Sequence, residues 1–356
     1  MNYTEQHPDP SYQQRRENQP KPLLAALPHE CKIAIFRALP GLGDFLCAVP
    51  ALRSLRAAFP QAEIALVGLP AIEPLVHRFS NYLDKLWEFP GYPGLPEQPL
   101  KLHQFPPFLK QMQQENFDLA VQMHGSGIIT NPLTVLLNAR ITGGFFTPGQ
   151  YCPDIRGFLP YLLREPEVRR YLRLLEFLGV PAQGEELEFP LWEEDQQELH
   201  AIAAARNLTP GNYACIHPGA SHPERCWPPD RFAVVADALA AYGLTVVLTG
   251  SAQEVTLTQA VASRMKAPSL NLAGATNLGA LAALLKQAAL LICNDTGVSH
   301  LAAALCVPSI IIFTHSDPAR WAPLNRDRHR IVMQTNPEAA IAQALDLLHQ
   351  ENAYVA

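Results

Sequence analysis

The chain has 356 residues, of which 48% are hydrophobic and 17% are charged. This composition is typical of a soluble globular protein, and the length is sufficient for two α/β domains. The formal net charge of −6 argues against a general nucleic-acid partner. No apolar run approaches the ~20 residues that a transmembrane helix needs, so any membrane contact would have to be peripheral.

The first residues and the cysteines both indicate a cytoplasmic protein. Residues 1–28 are rich in Gln, Pro and charged side chains and contain no apolar stretch that resembles a signal peptide, which predicts a disordered leader. The seven cysteines are scattered without CxxC spacing, and several fall within apolar runs. We therefore expect them to be reduced residues of the core.

The first half of the chain predicts an N-terminal α/β domain over residues 29–185. It begins with a βαβ unit, in which strands at 32–36 and 63–68 flank a Gly/Pro turn and a helix at 45–59. Further elements are expected as strands at 86–89, 119–123 and 142–146, helices at about 108–116 and 167–178, and a loop at 147–160. The arrangement predicts a parallel sheet.

The second half repeats this plan over residues 186–356. Strands are expected at 213–217, 245–249, 269–272, 290–293, 309–313 and 329–333, with helices at about 194–206, 230–242, 253–265 and 337–350. The sequence thus predicts two Rossmann-like, doubly wound parallel-sheet domains in tandem. Ligands bind at the carboxyl ends of the strands in such sheets, so an interdomain cleft is the expected site.

The segment 290–305 contains the most informative polar turn. An apolar strand breaks at residues 294–297 and resumes as an apolar helix, which leaves backbone N–H groups free at a helix start. Asp295 and Thr296 could hold hydroxyl groups there, Gly297 could offer its N–H, and His300 follows one turn later. The alternative is an ordinary Asx or Thr helix cap with a surface histidine, or a buried His300 satisfied by backbone.

Three segments together resemble glycosyltransferase family 9. They are residues 41–53, the loop 217–221 with 225–228, and residues 294–300. The best-known members of this family are ADP-heptose:lipopolysaccharide heptosyltransferases, and the resemblance extends from about residue 32 to about residue 323. It implies the two-domain GT-B architecture and a bacterial enzyme that transfers a sugar with inversion. The expected donor is ADP-heptose, and the expected acceptor is a glycolipid or lipopolysaccharide core.

Inverting transfer needs a base that removes a proton from the acceptor hydroxyl, and Asp44 is the candidate. The alternative is that Asp44 only caps a helix beginning at Phe45. Gly43, with Gly41, could allow a close approach of backbone to the sugar. These glycines could equally serve a tight turn with positive φ.

The leaving nucleoside diphosphate must also be stabilised. The sequence has no DxD stretch, so neither a metal nor any other cofactor is expected. Arg225 matches the basic phosphate-binding residue of the family, although a solvated loop arginine is the alternative. The predicted anion cradle is completed by Gly219, Ala220, Ser221, Thr296 and Gly297.

The remaining candidates are less specific. Glu254 matches a position that contacts the ribose in the family, and a surface helix glutamate is the alternative. The stretch 317–321 is another family-like segment, expected to form a loop and a short helix. His124, with residues 125–127, could contact the acceptor. A basic cluster could meet an anionic glycolipid or the membrane surface, or could be a solvated helix face; it consists of Arg164, Arg169, Arg170 and Arg173, with Lys101 and Lys110 elsewhere.

Two rival functions are compatible with the same residues. A nucleotide-sugar epimerase of the same fold would convert the donor without an acceptor. A non-catalytic protein would bind a nucleotide or glycan and form no product.

Overall fold

The computed structural model describes residues 23–333 and 336–355. The chain divides into two compact units. The first contains the described residues up to Pro40 together with Ala48–Glu185, and the second contains Gly41–Cys47 together with the described residues from Glu186 onward. The short segment Gly41–Cys47 therefore groups with the second unit, although the predicted first domain contains it.

The first unit contains a six-stranded parallel sheet. Its strands are β1 (Lys32–Phe36), β2 (Glu63–Gly68), β3 (Lys85–Glu88), β4 (Leu119–Gln122), β5 (Ile141–Phe146) and β6 (Phe158–Pro160), in the order β3-β2-β1-β4-β5-β6. Its helices are α1 (Leu42–Ala58, which starts in the segment grouped with the second unit), α2 (Glu73–Arg78), α3 (Phe105–Gln114), α4 (Thr130–Leu136) and α5 (Glu167–Leu178). The order reverses next to β1, as in a doubly wound fold.

The second unit repeats the topology. Its strands are β7 (Tyr213–His217), β8 (Thr245–Leu248), β9 (Ser269–Asn271), β10 (Leu290–Asn294), β11 (Ser309–Phe313) and β12 (His329–Met333), in the order β12-β11-β10-β7-β8-β9. Its helices are α6 (Glu193–Ala201), α7 (Pro229–Tyr242), α8 (Val255–Ala262), α9 (Leu278–Lys286), α10 (Gly297–Ala304), α11 (Pro318–Trp321) and α12 (Pro337–Val355). The prediction of two doubly wound parallel sheets is confirmed.

The central strands of the second sheet are buried along their whole length. β7, β10 and β11 have no exposed position, which explains their nearly continuous apolar sequences. In the second unit, Trp227 packs edge-on against Phe232 with a centroid distance of 5.3 Å. This core supports the carboxyl ends of the strands from which the polar turns emerge.

Several elements differ from the prediction. The predicted loop at 147–160 ends in β6, a three-residue edge strand with a terminal proline, too short to show alternation. The helices α2, α4 and α9 were not predicted. α9 is apolar around most of its surface and therefore lacks the amphipathic period by which a surface helix is recognised, and Asn277 caps its start. The short helix α11 follows Asp317 as expected.

Most of the predicted leader, residues 1–22, lies outside the described residues. Its last part is ordered, because Leu23–Ala26 forms a 3-10 helix and the Leu24 side chain is buried. No disulfide joins the seven cysteines, all of which lie within the described residues. Cys31, Cys47, Cys215 and Cys293 are buried as predicted, whereas Cys306 is exposed. No helix within residues 23–333 or 336–355 is both long and apolar enough to cross a membrane.

Candidate functional site

Three polar turns of the second unit follow strands that are neighbours in its sheet. β10, β7 and β8 lie side by side and parallel, and the turns after them hold residues 295–297, 218–221 and 249–254. Carboxyl ends of parallel strands meet at one edge of a sheet. The fold therefore brings together most of the predicted donor-binding residues, namely Gly219, Ala220, Ser221, Glu254, Asp295, Thr296 and Gly297.

Asn294, the last residue of β10, anchors two of these segments. Its side chain is fully buried. Oδ1 accepts a hydrogen bond from the backbone N–H of Trp227 at 3.0 Å, and Nδ2 donates to the Pro218 carbonyl oxygen at 2.7 Å. The loop of Arg225 and the turn of Gly219 are thus tied to the same strand end. The predicted site omits Asn294, although an amide at the end of a buried strand was a signal for it.

Glu254 lies against the turn that follows β7. It ends the 3-10 helix Ala252–Glu254, and its Oε2 accepts a hydrogen bond from the Ser251 N–H at 2.7 Å. A Cβ added to Gly219 would collide with Oε1 of Glu254, so glycine is needed for this approach. Glu254 is therefore both a helix cap and a neighbour of the predicted phosphate-binding turn.

His217, the last residue of β7, is buried next to Thr249. Its Nδ1 lies 3.1 Å from Thr249 Oγ1. Burial lowers the pKa of His217 below its usual value, and the nearby Glu254 carboxylate opposes this shift only in part. We therefore expect a neutral imidazole beside this turn at pH 7.

The turn after β10 leads directly into α10. Asp295 is buried and accepts a hydrogen bond from Ser316 Oγ. Thr296 occupies the N-cap position, but its side chain makes no capping hydrogen bond. Its carbonyl oxygen instead accepts a hydrogen bond from Ser299 Oγ at 2.7 Å. The alternative of an ordinary threonine cap is therefore wrong, since the hydroxyl does not satisfy the N–H groups at the helix start.

His300 is buried one turn into α10, with 5% of its surface exposed. Its Nδ1 lies 3.5 Å from Cys47 Sγ. Its ring meets Trp321 edge-on at a centroid distance of 6.3 Å. His300 is thus not the surface histidine considered as an alternative, and its side chain contacts the segment Gly41–Cys47.

The starts of α1 and α10 contact each other through glycines. A Cβ on Gly43 would lie 2.6 Å from Cδ2 of His300. A Cβ on Gly297 would lie 2.9 Å from Cβ of Leu42. Neither Gly43 nor Gly41 has a positive φ, so the alternative of a left-handed turn is wrong. These glycines permit a close approach between two helix starts.

Asp44 lies in the first turn of α1. The helix begins at Leu42 rather than at the predicted Phe45, so Asp44 is not the residue that precedes the helix. Its half-buried side chain folds back onto Gly41, where an added Cβ would collide with Oδ2. The positive end of the helix dipole favours a carboxylate at this position. Asp44 directly follows Gly43, which is the glycine that contacts His300.

Arg225 ends the 3-10 helix Pro223–Arg225 within the loop that Asn294 anchors. It is half-buried, and no acidic group of the described residues pairs with its guanidinium. Its charge is consequently available to an anion. Of the other predicted phosphate contacts, Ala220 is half-buried and Ser221 is exposed. The described parts of the chain contain no group of three or more His, Cys, Asp or Glu side chains that could hold a metal ion.

The predicted basic cluster on α5 does not form a free cationic surface. Arg170 is buried, with 1% of its side chain exposed, and pairs with Glu167. Arg169 pairs with Glu185 at 2.8 Å, and the Arg173 guanidinium pairs with Glu165 at 2.5 Å. Burial and ion pairing thus remove three members of the cluster. Among its members on or near α5, Arg164 remains exposed, on the loop that precedes the helix.

His124 is buried at the carboxyl end of β4 in the first unit. Its Nδ1 accepts a hydrogen bond from the Ala38 N–H at 3.2 Å, and its Nε2 lies 3.2 Å from Glu97 Oε1. Burial lowers the pKa of His124, while Glu97 acts in the opposite direction. The imidazole also stacks on Phe36 with a centroid distance of 5.6 Å. His124 therefore has structural partners at the predicted acceptor position.

Comparisons with known proteins were consistent in family and fold. The model of glycosyltransferase family 9 (heptosyltransferase) matches residues 107–349. The chain is similar to lipopolysaccharide heptosyltransferase 3 of Escherichia coli, with 25% identity over 335 residues that cover 86% of this chain and 96% of the relative.

Two solved structures are similar over most of their length. One is a family 9 glycosyltransferase from Veillonella parvula, with a TM-score of 0.73, 22% identity and coverage of 90% of this chain and 97% of that one. The other is the E. coli ADP-heptose lipopolysaccharide heptosyltransferase II, with a TM-score of 0.69, 19% identity and coverage of 90% and 99%. This similarity confirms the GT-B fold expected from the sequence.

Proposed function

The chain belongs to glycosyltransferase family 9, and we propose that it transfers heptose from ADP-heptose to a lipopolysaccharide core-type acceptor with inversion. The donor is suggested by the ADP-heptose named for the E. coli structure, and the acceptor by the lipopolysaccharide named for the E. coli relative. The proposal includes a cytoplasmic enzyme that meets its glycolipid acceptor at the inner membrane face.

The contact between the starts of α1 and α10 is the observation that carries this proposal. Gly43 lies against His300, so Asp44 stands next to the turn that follows β10. A base and a diphosphate-binding turn must both lie near the anomeric carbon, because the new bond forms as the nucleotide leaves. Their proximity supports a transfer reaction more directly than it supports nucleotide binding alone.

In the proposed reaction, Asp44 removes the proton from an acceptor hydroxyl. The hydroxyl oxygen then attacks the anomeric carbon of the donor from the side opposite the diphosphate. The new glycosidic bond forms as the bond to the phosphate oxygen breaks, and ADP leaves with that electron pair. General base catalysis of this kind contributes about 10²–10⁴-fold to a rate.

Fixed protein groups stabilise the leaving diphosphate in this proposal, without a catalytic metal. Arg225 supplies the cation, and its unpaired guanidinium supports that role. Backbone N–H groups at Gly219, Ala220 and Gly297 supply further donors, together with the hydroxyls of Ser221 and Thr296. The Thr296 hydroxyl is suited to this because it does not cap α10.

The remaining donor contacts are assigned by chemistry. Glu254 is proposed to accept hydrogen bonds from the ribose hydroxyls, and its contact with Gly219 supports a position beside the phosphates. Asp295 and His300 are proposed to bind sugar or phosphate groups, and Gly43 allows close approach to them.

The decisive experiment compares Asp44→Ala with Asp230→Ala, each in the full chain. Asp230 is an exposed aspartate that also lies in the first turn of a helix, which makes it a matched control. We expect Asp44→Ala to abolish heptose transfer and to leave ADP affinity unchanged, while Asp230→Ala behaves as the parent. Arg225→Ala should weaken ADP binding and slow turnover together. An active Asp44→Ala enzyme would overturn the assignment.

Two further measurements separate the rival functions. The donor incubated alone should remain unchanged, whereas an epimerase would convert it. A thermal-shift series with ADP, UDP, GDP and CDP should show stabilisation by ADP above the others, because a ligand that binds the native state raises its apparent stability. Binding of ADP without transfer to any core acceptor would favour the non-catalytic alternative.

A further inference from the structure

Two buried hydrogen bonds join the carboxyl ends of β1 and β4 in the first unit. The backbone N–H of Ala38 donates to Nδ1 of His124 at 3.2 Å. One residue earlier on each side, Nη1 of Arg37 donates to the Met123 carbonyl oxygen at 2.6 Å. The two residues that follow β1 are thus held by the two residues that follow β4.

The hydrogen bond from Ala38 determines where the ring hydrogen of His124 lies. A ring nitrogen that accepts from a backbone N–H carries no hydrogen, so a neutral imidazole must carry it on Nε2. Burial lowers the pKa of His124, the Glu97 carboxylate opposes this shift, and the Arg37 guanidinium adds to it. The imidazole is therefore neutral at pH 7, with Nε2–H as its donor.

Glu97 accepts from that donor, since its Oε1 lies 3.2 Å from His124 Nε2. Among the described residues, His124 is the one hydrogen-bond partner of this carboxylate, because Oε2 is shielded from solvent and has none. A buried oxygen without a partner costs free energy. The carboxylate is therefore placed to hold the imidazole rather than to satisfy both of its own oxygens.

The imidazole has little freedom to move. Only 6% of His124 is exposed, and its ring stacks on Phe36 with an interplanar angle of 17°. The stack restrains the plane of the ring, and the two hydrogen bonds restrain its rotation within that plane. Both ring nitrogens are engaged by protein groups, so this environment differs from the acceptor contact that the sequence position of His124 suggested.

The residue that His124 holds lies just before the helix that carries Asp44. Residues 39–41 connect Ala38 to the start of α1, and Asp44 is in the first turn of that helix. The connection contains Pro40, whose ring fixes its φ angle. The chain passes from the first unit to the second within this connection. A shift of Ala38 would therefore reach the start of α1 with little slack to absorb it.

We propose that Glu97 and His124 are positioning residues, which fix the connection before α1 and thereby orient Asp44 toward the acceptor hydroxyl. The pair acts through the backbone. Glu97 keeps the ring hydrogen on Nε2, which leaves Nδ1 as the acceptor that the Ala38 N–H needs. The effect on catalysis rests on the proposed function, in which Asp44 is the base.

The first test measures hydrogen exchange of the Ala38 amide in the full chain without substrate. Exchange in His124→Leu should be about tenfold faster than in the parent, because the buried N–H loses its acceptor. His124→Asn should exchange as the parent does, since an amide oxygen can accept in place of Nδ1. Glu97→Leu should also exchange faster, because nothing then keeps the ring hydrogen on Nε2.

Nitrogen-15 spectra of histidine-labelled protein test the position of the ring hydrogen directly. The His124 signals are identified by their absence from His124→Asn. In the parent, the hydrogen should be on Nε2. In Glu97→Leu, it should be distributed over both ring nitrogens, whereas Glu97→Gln should resemble the parent because its amide oxygen still accepts from Nε2–H. A parent ring with its hydrogen on Nδ1 would overturn the proposal.

Transfer kinetics test the orientation of Asp44. His124→Leu should lower kcat about tenfold and leave the KM for ADP-heptose unchanged, because the proposed donor contacts lie in the second unit. His124→Asn should restore the parent kcat. Glu97→Leu should lower kcat in the same way, and Glu97→Gln should not.

Asn131→Ala is the matched control for loss of stability. Asn131 is fully buried in the same unit, and its amide holds the Phe145 carbonyl oxygen rather than Ala38. This variant should be less stable and keep the parent kcat. If His124→Leu does not fold, Glu97→Leu decides the outcome, since the Glu97 side chain is 19% exposed. Parental exchange at Ala38 in the folded leucine variant would overturn the proposal, as would a loss of kcat no larger than that of Asn131→Ala.

The exchange and nitrogen-15 measurements require neither donor nor acceptor, so they are independent of the proposed transfer. A parent chain that showed the expected exchange but transferred no sugar would contradict the proposed function and the role of Asp44. The fixing of Ala38 by His124 and Glu97 would still be supported.

Discussion

Removal of the Asn294 amide should loosen the donor-binding turns without unfolding the protein. In Asn294→Ala, the backbone N–H of Trp227 loses its acceptor and the Pro218 carbonyl oxygen loses its donor. Both groups meet the amide in the buried interior, where water cannot replace it easily. The variant therefore removes the common anchor of the Arg225 loop and the Gly219 turn.

The expected loss can be calculated from those two groups. An unsatisfied buried donor or acceptor costs about 1–3 kcal/mol, so the two together should lower the free energy of unfolding by roughly 2–6 kcal/mol. A typical total stability is about 5–15 kcal/mol, so we expect a folded but destabilised protein. Because the phosphate-binding turns would no longer be held in one geometry, the affinity for ADP should fall at least tenfold. Denaturant unfolding and calorimetric titration with ADP measure the two effects.

Asn131→Ala provides the control. Asn131 is also fully buried, but it lies in the first unit, where its amide donates to the Phe145 carbonyl oxygen at 2.8 Å. This variant should lose stability and keep the ADP affinity of the parent. The free energy of unfolding of Asn294→Ala could instead lie within about 0.5 kcal/mol of the parent value, or the variant could lose no more ADP affinity than Asn131→Ala. Either result would refute the anchoring role of Asn294.

Two other predictions follow from the second unit. Gly43→Ala should lower kcat for transfer at least tenfold, because its Cβ would lie 2.6 Å from Cδ2 of His300 and displace that ring; parental turnover would contradict the proposed need for close approach. Burial, reinforced by the charges of Arg328, His300 and Arg326, lowers the pKa of His329 from 6.5 to about 4. The unfolded state then binds the proton more tightly, so the free energy of unfolding should fall by roughly 3 kcal/mol as the pH drops from about 6.5 to about 4. His329→Gln should reduce this slope in denaturant titrations, and an unchanged slope would argue against the assignment.

The sheets could be predicted because the sequence pattern of each strand is local. Runs such as 213–217 and 309–313 are apolar throughout and bounded by polar turns, which is sufficient to identify a buried parallel strand. The polar turn at 294–297 could be recognised in the same way. The start of α1 at Leu42 could not be predicted in this way, because Gly41 and Gly43 suggested a turn. In the structure these glycines lie in close contact with neighbouring side chains, and the helix begins between them.

Side-chain environments depended on residues far apart in the chain. Continuous apolar runs and the polar turns between them established two parallel α/β sheets, because strands buried on both faces need apolar side chains at every position. Whether His300 is exposed was decided by tertiary structure, through a contact with Cys47, which is 253 residues away in sequence. Arg170 and Glu167 are only three residues apart, but tertiary packing buries the pair and so removes a charge that the helix sequence suggested was available to a ligand. Burial and charge neutralisation arise only when the chain has packed, since they depend on which groups displace water around a side chain.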